Sequence, residues 1–303
     1  MDRETTALTE LSDALAAAVE RAGASIVTVN ARRRISASGV VWSADGVIVT
    51  CDHVIERDEN ITVTLADGRE LPATIAGRDP GTDIAVLKVQ ATGLTPVVRA
   101  ADGSAKTGHI VLATGRPSSG GPMASLGVIS AVGGSWRTFR GHAVDGYLRT
   151  DASFFPGFSG GPLVDAAGAV VGIISSRLGR GAGLVLPVAV VAKVADQLSR
   201  QGKLRRGYLG ISSQVVRLPG ALSQQLSGQE HGLLVVQVEP GSPAESGGLI
   251  LGDILVAIGG SALNATDDLQ ASLGAERVGQ ATAITVLRGG EKRDLQVTIG
   301  ERA

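Results

Sequence analysis

Apolar residues near the start of the chain recur three and four positions apart, and from residue 25 the pattern changes to short runs of β-formers. Leu8, Leu11, Leu15, Ala18, Val19 and Ala22 share one helical face, which predicts an amphipathic helix over 1–24 that docks on the domain after it. Six β runs follow: SIVTV, SASGVVWS, GVIVTCDHVI, ITVTL, ELPATIAG and DIAVLKV. The Ala-Asp-Gly turns at 44–46 and 66–68 suit hairpins, since glycine supplies the positive φ that such turns need. Consecutive strands are therefore expected to pair antiparallel. A second set, GHIVLATG, ASLGVISAVGG, GYLRTDAS, GPLVDAAG, AVVGIISS and GAGLVLPV, contains no helical stretch that could serve as a parallel crossover. Two antiparallel β-barrels fit this arrangement.

PVAVVAKVADQLSRQG then reads as a helix begun at Pro187 and stopped at Gly202, followed by the charged connector KLRR. A boundary is expected near residue 203. Beyond it, the strands GLLVVQV, DILVAIGG, ATAITVLRGG and RDLQVTIG mix with helical stretches around 219–228 and 264–275. The expected organisation is a helix over 1–24, a two-barrel domain with its closing helix over 25–203, and an α+β domain over 204–303. The fold class is mostly β.

With 28 basic against 29 acidic residues, a chain of 303 residues has no electrostatic footprint for nucleic acid. No segment reaches membrane length, and the N-terminal apolar run, flanked by Asp13 and Glu20, lacks a secretory character. Cys51 is the sole cysteine and cannot form an internal disulfide, which permits a reducing compartment. These features lead to a cytoplasmic expectation. No phosphate loop and no zinc-spaced ligand set occurs along the sequence, so neither cofactor nor metal is expected.

Ser159 sits among glycines and aromatics in FFPGFSGGPLV. Gly157-Phe158-Ser159-Gly160-Gly161 fits the G-x-S-x-G nucleophile elbow, but the match is short in a glycine-rich chain and a tight turn is the more common use of such sequence. An elbow must open a helix and have its histidine late in the chain; here Pro162 and a hairpin follow, and only His231 lies downstream. A nucleophilic serine needs a base, most often histidine. His109 opens a strand, His142 lies in a glycine-rich loop and His231 is beyond the boundary, whereas His53 ends a barrel strand in TCDHVIE. Asp83 starts DIAVLKV, where Ile84, Val86 and Leu87 carry it into the core, while Asp67 and Asp79 are turn residues. The order His53, Asp83, Ser159 is the chymotrypsin order, split across two barrels. Cys51 points the same way as His53 but lacks a glycine turn, and reads as small apolar filler.

VTCDHVI, DIAVLKV, TDASFFPGFSGGPLV, GLVLP and RGYLGI together resemble the HtrA/Deg family of trypsin-like serine proteases across nearly the whole chain. The resemblance implies His53 as general base, Asp83 as its orienting carboxylate, Ser159 as nucleophile, and the N–H groups of Gly157 and Ser159 as oxyanion hole. EPGSPAESGGLILGDILVAIGG resembles a PDZ domain, which implies a peptide carboxylate loop at Tyr208, Leu209, Gly210 and Ile211 and a groove wall from the 264–275 helix. Gly210 also reads as a plain strand-start glycine. The implied activity is ATP-independent cleavage of unfolded or misfolded polypeptides, with peptide C-termini as PDZ partners. The alternatives are a proteolytically inactive peptide-binding scaffold or chaperone, and a small-ester hydrolase.

Three departures accompany the likeness. Phe158 stands where the family usually has asparagine, near Phe154 and Phe155, and reads either as packing or as a device that switches the loop. Ser153 occupies the place of trypsin's aspartate, which disfavours basic substrate residues; Ile174, Ser175, Ser176 and Arg177 are implied to line the pocket strand, with Arg177 restricting it. The first aromatic after the N-terminal helix is Trp42, so a homo-oligomer, and a trimer in particular, stays open.

Overall fold

The computed structural model describes residues 3–118, 120–138, 143–179, 183–203 and 207–301. His142 and most of the KLRR connector lie outside these. The chain forms two compact units, Met1–Leu204 and Arg205–Ala303.

In the first unit, helix α1 (Arg3–Gly23) precedes β1 (Ile26–Asn30), β2 (Ala37–Val41), β3 (Val47–Cys51), β4 (Ile61–Thr64), β5 (Glu70–Asp79) and β6 (Ile84–Val89). These six strands close a barrel in the order β1-β2-β3-β6-β5-β4. The Ala-Asp-Gly turns join β2 to β3 and β4 to β5, both antiparallel, with Gly46 and Gly68 at positive φ. Pairing is not consecutive throughout, because β3 neighbours β6 while β4 closes on β1. The reason is local: β3 runs into a 3₁₀ turn, Asp52–Val54, and the chain leaves the sheet there before β4 begins.

The second barrel is built from β7 (Ile110–Gly115), β8 (Met123–Gly133), β11 (Tyr147–Thr150), β12 (Pro162–Asp165), β13 (Val170–Ile174) and β14 (Leu184–Pro187), in the order β11-β14-β13-β12-β7-β8. Between β8 and β11 lies a small pair, β9 (Trp136–Arg137) and β10 (Ala143–Val144), that the sequence pattern does not predict. Helix α2 (Val188–Gln201) starts after Pro187 and ends on Gly202 in the left-handed conformation, which only glycine adopts without strain. Each barrel has an apolar interior. A third cluster, from α1, α2 and both barrels, includes Ala18, Ile26, Val49, Ile84, Ile173, Val191 and Leu198 and seals the barrels to each other. Only the C-terminal half of α1 is buried there; Leu8 and Leu11 are exposed, contrary to a helix docked along its whole face. Arg116 fixes the helix end by donating to the carbonyls of Gly23 and Ile26.

The second unit contains β15 (Gly207–Tyr208), β16 (Ile211–Arg217), α3 (Gly220–Gln225), β17 (His231–Val238), α4 (Pro243–Ser246), β18 (Ile254–Ile258), β19 (Ser261–Ala262), α5 (Thr266–Ala271), β20 (Ala281–Arg288), β21 (Glu291–Thr298) and β22 (Gly300–Glu301). Its main sheet runs β16-β17-β18-β20-β21 around a core of Leu233, Leu255, Ile284 and Val297. Asp253, just before β18, and Arg288, at the end of β20, join these two inner strands through two charge-assisted hydrogen bonds of 2.7 and 2.8 Å. Among the described residues, no helix is long and apolar enough to cross a membrane.

Candidate active site

His53 sits in the middle of the 3₁₀ turn that ends β3. Arg78, from β5, pins this turn by donating to the Asp52 carboxylate at 2.7 Å and to the carbonyls of Asp52 and Ile55. Arg32 adds a hydrogen bond to the His53 carbonyl. The imidazole is therefore held by its backbone before its ring makes any contact.

Asp83 lies just before β6, almost fully buried, at φ +58°. A non-glycine residue in this region costs about 1–3 kcal/mol and persists where surroundings fix it. Here they do: one carboxylate oxygen accepts the His53 backbone N–H at 3.0 Å, and the other accepts both His53 Nδ1 at 2.7 Å and Ser175 Oγ at 2.5 Å. Burial works against ionisation of Asp83, but the bonds from His53 and Ser175 outweigh it and hold the carboxyl below its usual range. Nδ1 then carries the proton, which leaves Nε2 as the acceptor. Asp79 and Asp67 cap their own turns, accepting from Thr82 and Arg69.

Ser159 belongs to the loop between β11 and β12. This loop is tied to the first barrel by one residue of β2, Ser38, whose N–H donates to the Ser159 carbonyl at 3.1 Å and whose hydroxyl donates to the Gly157 carbonyl at 2.7 Å. The loop's glycines are required by contact as well as conformation. A Cβ on Gly157, at φ +87°, would lie 2.4 Å from Pro117 Cβ, and one on Gly160 would lie 2.2 Å from the Ser38 carbonyl oxygen. Among the described residues, the N–H groups of Gly157 and Ser159 donate to nothing. Phe158 between them is fully buried, edge-on to Phe155 with ring centres 5.3 Å apart and seated over Gly115.

The hydroxyl of Ser159 contacts Ser176 Oγ at 2.9 Å, and Ser176 Oγ in turn lies 3.4 Å from His53 Nε2. A chain of polar contacts thus runs from Asp83 through His53 and Ser176 to Ser159. His53, Asp83 and Ser159 are brought to one place at the junction of the barrels. His109 precedes β7 in the first unit, and His231 is the first residue of β17 in the second.

Beside the serines is a cavity of about 380 Å³ lined by residues that include Asp151, Ser153, Phe154, Ser175, Ser176 and Leu184. Ser153, Ser175 and Ser176 are among its walls. Among the described residues, Ile174 is fully buried in the second barrel's core and Arg177 is exposed, and neither lines this cavity. Alternation explains both: a strand's successive side chains face opposite ways, and β13 ends at Ile174 before a turn carries Arg177 outward. Two contributions escape sequence reasoning. The anchoring by Ser38 carries no motif, and the bond from Ser175 to Asp83 is made by a residue expected only in the pocket.

Sequence spacing hides one further grouping, since Cys51, His53 and Asp83 present ligand atoms within 4.8 Å of one another. These donors already have partners. The Cys51 thiol donates to the Ile174 carbonyl, and burial pushes its pKa well up, disfavouring the thiolate that a metal would need.

In the second unit, Tyr208-Leu209-Gly210-Ile211 turns from β15 into β16. Gly210 is at φ +81°, and a Cβ there would sit 2.3 Å from Ser242 Cβ, so it is more than a strand-start glycine. Its carbonyl accepts Glu239 N–H and that of Leu209 accepts Ala244 N–H, which fixes the turn, while the N–H groups of Leu209 and Gly210 donate to no other described residue. Helix α5 packs beside β16. Adjacent free N–H groups form an anion-binding turn.

Two antiparallel barrels with a buried carboxylate, an imidazole and a serine at their junction define the trypsin-like hydrolase architecture. Residues 37–173 match the trypsin-like peptidase domain and residues 207–299 the PDZ domain. The chain is 36% identical over 268 residues to a probable periplasmic serine endoprotease DegP-like of Ectopseudomonas mendocina, an alignment that covers 87% of this chain and 56% of that protein. It is 34% identical to the putative serine protease HhoB of Synechocystis, over 89% and 67% of the two chains. Among solved structures, the HtrA-type protease AlgW with decapeptide matches at TM-score 0.80 and 30% identity, over 95% of this chain and 99% of that one. The serine endoprotease from Yersinia pestis matches at 0.78 and 33%, over 94% and 97%. The chain belongs to the HtrA/Deg family of trypsin-like serine proteases with a PDZ domain. It spans about half the length of the DegP-like relatives, 56% in the case above.

These likenesses correct the cytoplasmic expectation, for several of the relatives are named periplasmic. A secretory leader is removed from a mature protein, and a lone cysteine is compatible with an oxidising compartment, so neither feature reports location.

Proposed function

We propose that this chain is an ATP-independent serine endopeptidase of the periplasm that degrades unfolded or misfolded polypeptides. Residues 25–203 form its protease domain and 204–303 a PDZ domain that binds peptide C-termini at Tyr208–Ile211. The observation that carries the reading is the 2.7 Å bond from His53 Nδ1 to Asp83, which leaves Nε2 free to act as base one hydroxyl away from Ser159.

In the mechanism, His53 takes the Ser159 proton as Oγ attacks the substrate carbonyl, and Asp83 stabilises the imidazolium so formed. The unclaimed N–H groups of Gly157 and Ser159 receive the developing oxyanion. His53 then returns the proton to the leaving amine, and water releases the acyl group from Ser159 by the reverse path. The test is a fluorophosphonate label mapped by peptide mass, together with casein degradation. Label on Ser159, and loss of both label and casein cleavage in Ser159→Ala, are expected; casein cleavage that persists in Ser159→Ala and His53→Ala overturns the assignment.

One observation favours a second reading, a peptide-binding scaffold with weak activity: Ser159 Oγ is bonded to Ser176 rather than to His53. Peptide binding without casein loss would select it.

A further inference from the structure

The bond between two serine hydroxyls is not needed for the chemistry above, and it stands in its way. A nucleophile ready to react presents its hydroxyl to the base. Here the Ser159 hydroxyl is instead engaged at 2.9 Å by Ser176, whose backbone N–H also approaches the same oxygen at 3.4 Å. The Ser176 hydroxyl simultaneously stands 3.4 Å from His53 Nε2, the atom that must receive the Ser159 proton and later protonate the leaving amine. Ser176 therefore touches both partners of the proton transfer and separates them. It also lines the cavity of about 380 Å³ beside the site, and it is exposed, so a group entering that cavity meets its side chain directly.

We propose that Ser176 is a positioning residue that holds the Ser159 hydroxyl away from His53 until a substrate side chain fills the adjoining cavity. Entry of that side chain turns the Ser176 hydroxyl aside, and Ser159 then rotates onto Nε2. Occupancy of the cavity and readiness of the nucleophile become one event, so the enzyme selects substrates that fill the cavity by rate as well as by affinity. The latch costs the resting enzyme about one net hydrogen bond, which corresponds to a rate factor of roughly 3 to 10. The inference rests on Ser159 being the nucleophile.

The test compares two covalent probes on the full chain: diisopropyl fluorophosphate, which is too small to fill the cavity, and a peptidyl diphenyl phosphonate with a leucine-like side chain. In Ser176→Ala, the small probe is expected to label Ser159 about 3- to 10-fold faster than in wild type, while the maximal labelling rate at saturating peptidyl probe, where the cavity is already filled, is expected to rise by less than about 2-fold. Ser176→Thr, which keeps a hydroxyl, is expected to restore the slow rate toward the small probe. A merely structural role would not make the effect depend on probe size or on the hydroxyl. Equal or slower small-probe labelling of a folded Ser176→Ala, checked by circular dichroism, overturns the latch; slower labelling with both probes would show instead that the hydroxyl passes the proton along. If wild type takes no label at Ser159 at all, the protease assignment fails rather than this inference.

Discussion

Ser175 Oγ and His53 Nδ1 share one oxygen of Asp83, the serine at 2.5 Å and the imidazole at 2.7 Å. The bond from Ser175 crosses from the second barrel to the first and fixes the carboxylate plane against which the imidazole aligns. Removing it in Ser175→Ala takes a charge-assisted donor from a buried anion, worth about 1.5–3 kcal/mol. The expected result is roughly a 10-fold fall in kcat on a peptide substrate with little change in KM, together with a lower unfolding midpoint in urea.

The same carboxylate governs the response to acid. Its pKa is held below the ordinary 3.8 in the folded chain, so its contribution to stability is fully present above that value and is lost as pH falls through the folded-state value. Asp83→Asn lacks this titration. Urea unfolding at a series of pH values from 6 to 3 is expected to show wild type losing more stability than Asp83→Asn at the acid end, and kcat of the variant is expected to fall by about 10³- to 10⁴-fold at neutral pH.

Phe158 is a core residue. Its ring fills the interior of the second barrel over Gly115, so Phe158→Ala is expected to cost about 3–5 kcal/mol in unfolding free energy. Phe158→Leu, which refills most of the space, is expected to recover most of that stability. Matching fluorophosphonate labelling rates in wild type and the Leu variant would assign the ring to packing; a changed rate at equal stability would assign it a part in loop arrangement.

Gly210 tests the second unit in isolation from the chemistry. A Cβ there meets Ser242 and requires a backbone conformation that alanine rarely adopts. Gly210→Ala is expected to weaken binding of a peptide with a hydrophobic C-terminus by 10-fold or more in fluorescence anisotropy, with fluorophosphonate labelling at Ser159 unchanged.

Cys51 should behave as filler. Buried, with its thiol pKa pushed up by that burial, it is expected to resist iodoacetamide at pH 8 in the native protein and to react readily in urea. Cys51→Ala is expected to keep casein cleavage.

Most of the barrel strands are legible because they are short runs of β-formers set off by turn residues, and turn chemistry is local. The jump of β3 to β6 was not, since strand order beyond a hairpin depends on which edges remain free, and no short stretch of sequence records that. His53, Asp83 and Ser159 stood out through residue type and order. The left-handed φ of Asp83 did not, because aspartate gives no sign of the strain that its partners impose. Ile174 and Arg177 differ from the family likeness because the local alternation of β13 and the turn after it decide which way each side chain faces.

Ser38 holds the carbonyls of both Gly157 and Ser159 from across the barrel junction. A chain in which only the second barrel has formed therefore lacks the two bonds that fix these carbonyls, even though Phe158 already seats the loop in its own barrel. Under the proposed function a half-made copy of the chain is itself an unfolded polypeptide, and a catalyst whose loop is fully anchored only when the two barrels meet is not armed against such copies while it is itself incomplete.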